Sequence, residues 1–185
     1  MEFIKKTFRR NGRGFTLIEL LVVIAIIGIL ASIVLASLNT ARRKSRDARR
    51  IADIKQIQLA LELYADASGQ LYPVATASCD ATANAYGLQV LAPGNIPVIP
   101  RDPNNTTDRC YRYASSTATP LAQYHLGATL EESTNAALNG DRDCASGTAD
   151  SCSPGAVYTA GFNGILAASC GAAAGATDFC YDVTN

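Results

Sequence analysis

One histidine, no closely spaced cysteine pair and no proline before residue 73 are the first things this chain of 185 residues shows by their scarcity. Structural zinc sites draw on close ligand pairs such as C-x₂₋₄-C, and none occurs among Cys79, Cys110, Cys144, Cys152, Cys170 and Cys180. Spacing therefore argues against zinc. His125, in the stretch YHLGA, has no obvious nucleophile or acid beside it in sequence, so it reads as structural and no catalytic residue is assigned. No proline interrupts the chain from Met1 to Leu71, which leaves room for a long helix over that distance. Charge is scarce as well: among the 24 residues from Phe15 to Leu38, Glu19 alone is ionisable. That run is about the length needed to cross a roughly 30 Å hydrocarbon core.

What is present is unevenly distributed. Length and 48% hydrophobic composition allow one modest globular domain plus an accessory segment. Residues 1–50 carry eleven Lys/Arg against three acidic residues, so the remaining residues carry five against thirteen. A basic root and an acidic head share one chain of zero net charge. All six cysteines follow the apolar run, in a region rich in small polar residues, which points to disulfides formed outside the cytoplasm. Six cysteines allow 15 connectivities. Short intervals close most easily, favouring Cys79–Cys110, Cys144–Cys152 and Cys170–Cys180.

Helical periodicity continues past the apolar run. Ile51, Ile54, Ile57, Leu61 and Tyr64 recur at steps of three and four, which predicts a helix face docked on a core. Ser68-Gly69, followed by Tyr72-Pro73, marks its end. Residues 74–100 read as a connecting loop with a short helix around Tyr86–Leu91. CYRYAS (Cys110–Ser115) and AQYHLGATL (Ala122–Leu130) alternate as two antiparallel strands joined by a turn at Thr117–Pro120. Val157–Tyr158 and Phe179–Tyr181 are weaker strand candidates.

The stretch GFTLIE, Gly14 to Glu19, is preceded by the basic leader MEFIKKTFRRNGRG and followed by the apolar helix. It resembles the N-terminal region of class III signal-peptide proteins, the type IV pilins and the pseudopilins of type II secretion systems. Tyr72-Pro73, Pro100 with Asp102-Pro103, and Tyr111-x-Tyr113 are similar to the corresponding parts of the major pseudopilin. The resemblance implies an α+β fold: a long N-terminal helix, membrane-spanning in its first half, packed on a small antiparallel sheet with a disulfide-tied C-terminal region. It divides the chain into a cleaved leader (1–14), a membrane and assembly segment (15–38), an amphipathic second half-helix (39–68) and an extracytoplasmic head (69–185). Prepilin peptidase would cut between Gly14 and Phe15 and N-methylate Phe15, and Glu19 would meet the new cationic amine of a neighbouring subunit during assembly. The chain departs from many relatives at Ala36, where they have proline.

The implied function is structural and non-enzymatic: a subunit of a type IV pilus-like filament serving adhesion, motility or DNA uptake. The alternatives are the major pseudopilin of a type II secretion system and a singly anchored surface binding protein. Partners follow from the same resemblance: copies of the chain, prepilin peptidase, an inner-membrane assembly platform, and membrane lipid before assembly. The chain would span the cytoplasmic membrane once with its N-terminus inside, then enter an extracellular or periplasmic filament. Asp141, Asp143 and Asp150 offer oxygen ligands for calcium. The basic cluster ARRKSRDARR (Ala41–Arg50) reads as solvated or snorkelling charge beside the membrane. No aromatic residues interleave it to stack on bases, which disfavours nucleic acid as a partner.

Overall fold

The computed structural model describes residues 15–76, 86–104, 111–117, 122–142, 144, 146, 152, 158–159, 161–162, 170 and 179–185. The leader, the Cys79–Cys110 pair, Asp143, Asp150 and most of the proposed turn at Thr117–Pro120 lie outside them. Two compact units meet between Ala41 and Arg42.

Helix α1 runs from Leu17 to Ala67. In the first unit every side chain from Phe15 to Leu38 is exposed, including Ile18, Leu21, Ile26 and Leu35. An apolar helix with no covering protein needs an apolar solvent or other helices. The helix is long and apolar enough to cross a membrane.

Within the second unit the helix becomes one-sided. Ile54, Ile57 and Leu61 are fully buried, with Ile51 and Tyr64 packed at the margin, the stripe that the three- and four-residue steps predict. The helix stops at Ala67 because Gly69 (φ 71°) and Gln70 (φ 68°) turn left-handed, and the Gln70 amide donates to the Ala65 carbonyl at 2.8 Å. This six-to-one closure is a Schellman motif.

Four strands form an antiparallel sheet: β1 (Arg112–Ser116), β2 (Tyr124–Leu130), β3 (Tyr158–Thr159) and β4 (Phe179–Thr184), in the order β3-β1-β2-β4. The expected hairpin is β1–β2, with Tyr113 opposite Leu126. The weak candidate at Phe179–Tyr181 is a full strand, paired with β2 from Leu130↔Phe179 to His125↔Thr184. Its alternation was obscured because both faces of this part of the sheet are covered. Tyr124, Leu126, Ala128 and Leu130 join the helix residues in one core, whereas Ala114, Phe162, Cys170 and Cys180 form a second on the other face. The helix expected at Tyr86–Leu91 is a shorter 3₁₀ turn, Leu88–Leu91. Gly87 precedes it at φ 87°, and a Cβ there would lie 2.5 Å from the Val74 carbonyl oxygen, so the chain cannot enter as a helix from Tyr86. Cys144–Cys152 and Cys170–Cys180 are bonded, closing intervals of 8 and 10 residues, and the second of them packs in the second core. Removing a bridge of this kind from a small domain costs about 2–5 kcal/mol.

Candidate functional site

At the start of α1, Thr16 and Glu19 satisfy one another. Glu19 Oε2 accepts from the Thr16 amide at 2.8 Å and from its hydroxyl at 2.8 Å, while the Glu19 amide donates to Thr16 Oγ1 at 3.3 Å. This reciprocal arrangement is a capping box, which occupies amides that a helix start otherwise leaves open. The signal was available in sequence as T-x-x-E before an apolar run. Glu19 thus has a local partner within its own chain, and Phe15 nearby is 88% exposed.

The basic cluster is not the uniformly solvated collar that the sequence suggested. Arg50 is fully buried, with Nε 2.7 Å from Asp102 Oδ2 and Nη1 2.7 Å from Asp47 Oδ1 and 2.8 Å from Glu131 Oε1. Arg46 grips the same glutamate, Nε to Oε1 at 2.8 Å, and Arg43 pairs with Glu132 at 3.2 Å. Asp47 also accepts the backbone amides of Glu131 and Glu132. Only tertiary folding brings Asp102 and the Glu131 segment to this turn of helix. Arg42, Lys44 and Arg49 keep their exposed positions. Burial pulls the Arg50 guanidinium down, but its bonds to Asp102, Glu131 and Asp47 outweigh this and raise it.

Hydrogen bonding from Arg46, against the cost of burial and with help from Arg50, holds the Glu131 carboxyl at about 2, below its ordinary 4.5. A carboxylate depressed in the folded state contributes stability above its unfolded pKa, and that contribution is lost as the pH falls through the folded value. Stability should therefore decline from about pH 4.5 toward pH 2. Glu131→Gln should lower stability at neutral pH and flatten this decline, measured by denaturant midpoints across that range. An unchanged pH slope would refute the assignment.

His125 is not isolated, contrary to its sequence neighbourhood. Its Nε2 lies 2.7 Å from Asp182 Oδ2, its Nδ1 lies 2.8 Å from Ser146 Oγ, and its ring stacks on Phe162 at 3.8 Å between centroids. Serine, histidine and acid in line resemble a hydrolytic triad, but Ser146 is 1% exposed and His125 and Asp182 are 0% exposed. Ser146 Oγ also accepts the Phe162 amide at 3.1 Å. The Ser146 hydroxyl is thus enclosed by protein, and His125 has polar partners that its sequence neighbourhood does not show.

Of the proposed calcium ligands, Asp141 alone is described. Both its carboxylate oxygens are buried, and it lines a small cavity of about 220 Å³ with Gln58, Arg142 and Asp182.

An exposed apolar helix capped by its own glutamate and a small α+β unit tied by disulfides are the parts of a pilin-like α+β architecture. Comparison with known proteins agrees. The prokaryotic N-terminal methylation motif matches residues 9–35. The chain is 35% identical over 96 residues to the type II secretion system core protein G of Escherichia coli K12, covering 49% of this chain and 66%, under two thirds, of that relative. Against the core protein G of Pseudomonas aeruginosa it is 32% identical over 130 residues, 67% of this chain and 89% of the relative. It is 58% identical over 38 residues to the type IV wide pilus major component PilA4 of Thermus thermophilus, 20% of this chain and 29% of that protein. No solved structure matches it. The chain belongs to the type IV pilin and type II secretion pseudopilin family.

Proposed function

We propose that this chain is a filament-forming pseudopilin of a type II secretion system, anchored by α1 in the cytoplasmic membrane until it is assembled. The observation that carries the reading is the 89% coverage of a core protein G, whose alignment reaches well past the shared N-terminal helix. The sequence alone favours the type IV pilus. That second reading is supported by the high identity to PilA4 over 38 residues and by the disulfide-tied C-terminal region.

In either case prepilin peptidase would cleave after Gly14 and methylate the amine of Phe15. The capping carboxylate of Glu19 would then accept the charged amine of a neighbouring copy, setting how the helices slide into register. The Asp141 carboxylate, with Asp143 and Asp150, would hold calcium as a hard oxygen-ligated cation, bracing the connection between β2 and β3.

Deleting the gene and examining secretion and the cell surface separates the two readings. Failed protein export without loss of any surface filament supports the pseudopilin. Loss of long surface filaments with export intact supports the pilus. Mass spectrometry of the assembled material should find a mature N-terminus at methylated Phe15, and an intact leader there would overturn both.

A further inference from the structure

The Cys144–Cys152 disulfide lies against the imidazole of His125. Cys144 Sγ is 3.7 Å from Nε2, and Cys152 Sγ is 3.6 Å from Nδ1. Asp182 Oδ2, 2.7 Å from Nε2, is also 3.6 Å from Cys144 Sγ. One ligand atom from each of His125, Cys144 and Cys152 falls within 4.8 Å of the others, and all three residues are buried. We propose that the reduced form of this cluster is a zinc site, with the Cys144 and Cys152 thiolates, His125 Nε2 and Asp182 Oδ2 as ligands, and that disulfide formation expels the metal.

The separations favour this. Tetrahedral zinc, with bonds of about 2.3 Å to sulfur and 2.0–2.2 Å to nitrogen and oxygen, places its ligand atoms roughly 3.3–3.8 Å apart. Cys144 Sγ already stands at that distance from both Nε2 and Oδ2. Binding would require the Nε2–Oδ2 contact to open by about half an ångström, the sulfurs to part to about 3.8 Å, and Cys152 Sγ, which stands beside Nδ1 in the disulfide form, to turn toward Nε2. Two thiolates and an imidazole are a donor set suited to zinc rather than to calcium or magnesium.

Ser146 suits both states. In the oxidised chain Nε2 is hydrogen-bonded to the Asp182 carboxylate and Nδ1 to the Ser146 hydroxyl. With Nε2 on zinc, Nδ1 carries the proton and donates to Ser146 Oγ, whose own proton turns to the Phe162 carbonyl, 3.3 Å away. A metal-bound histidine is ordinarily oriented through its second nitrogen in this way. The Phe162 ring stacked on the imidazole shields one face of the site.

The exchange balances. A disulfide oxidant takes two electrons from the coordinated thiolates and two protons from water, leaves as two thiols, and the Cys144–Cys152 bond forms as Zn²⁺ departs. Seven residues between the cysteines, with His125 upstream of both and Asp182 downstream, hide the set from any spacing rule.

The test uses the full chain in detergent, reduced anaerobically with a phosphine and titrated with Co²⁺ as an optical probe. One equivalent should give thiolate charge-transfer and tetrahedral cobalt bands, bleached by Zn²⁺ and absent from the oxidised chain. Cys144→Ser with Cys152→Ser should abolish them, and Asp182→Asn should weaken Co²⁺ binding at least tenfold. Because the serine variant can fail to fold, alkylation of the reduced wild-type chain supplies an independent reading. Zinc should slow modification of Cys144 and Cys152 at least tenfold, reversibly with a chelator, and leave Cys170 and Cys180 unprotected. Absence of stoichiometric tetrahedral cobalt, bands that persist in the folded serine variant, or equal alkylation with and without zinc would overturn the proposal.

Discussion

Replacing Glu19 with alanine should abolish filament assembly while leaving membrane insertion intact. Two unit charges about 4 Å apart attract by roughly 4 kcal/mol at an effective dielectric near 20, before desolvation. An unpaired acid in the middle of a membrane helix costs about 2.5–3.5 kcal/mol on insertion scales, so alanine should insert at least as well. Loss of the capping box is the smaller effect, about 0.5–2 kcal/mol at the helix start. Glu19→Gln separates the roles, since its amide oxygen still accepts from the Thr16 amide but carries no charge. Filament yield should fall in both variants. Normal yield from Glu19→Gln would mean that the residue serves as a cap alone, and normal yield from Glu19→Ala would end the assembly role.

Arg50→Ala should cost the disulfide-tied unit about 3–5 kcal/mol, the penalty for leaving buried charge without its partner. Three carboxylates converge on this guanidinium, and Asp47 and Asp102 are themselves almost wholly buried. The measurement is denaturant unfolding followed by tyrosine fluorescence, since the chain has eight tyrosines and no tryptophan. Combining Arg50→Met with Asp47→Asn and Asp102→Asn should recover part of the loss, because each orphaned charge is then removed. A loss under about 1 kcal/mol would place this network with ordinary surface ion pairs.

The periodic parts of the molecule were legible. Ile54, Ile57 and Leu61 gave the buried face of α1, and Ser68-Gly69 its end, because both signals lie within a few residues. The hairpin was readable from alternation at Arg112–Ser116 and Tyr124–Leu130. Strand β4 was half-hidden because Cys180 packs on one face of the sheet and Tyr181 on the other, erasing the contrast between wet and dry positions. The capping bond of Glu19 to Thr16 is legible too, since T-x-x-E is a local pattern. The burial of Arg50 is hidden for a different reason: five neighbouring basic residues make a solvated cluster the natural reading, and nothing nearby in sequence marks a carboxylate cage.

Sequence by itself determined the apolar first half of the helix, the charge placed in it, the one-sided second half and the family signature at Gly14–Glu19. Each depends on residues spaced by one helical turn or on an uninterrupted run, and neither needs a distant partner. Only the tertiary structure decided which charges leave water. Arg50 meets Asp102 across 52 residues and Glu131 across 81, and His125 meets Asp182 across 57. No local period encodes such pairings. They exist because the sheet and helix bury those positions together, and a polar group buried there must find its partner within reach.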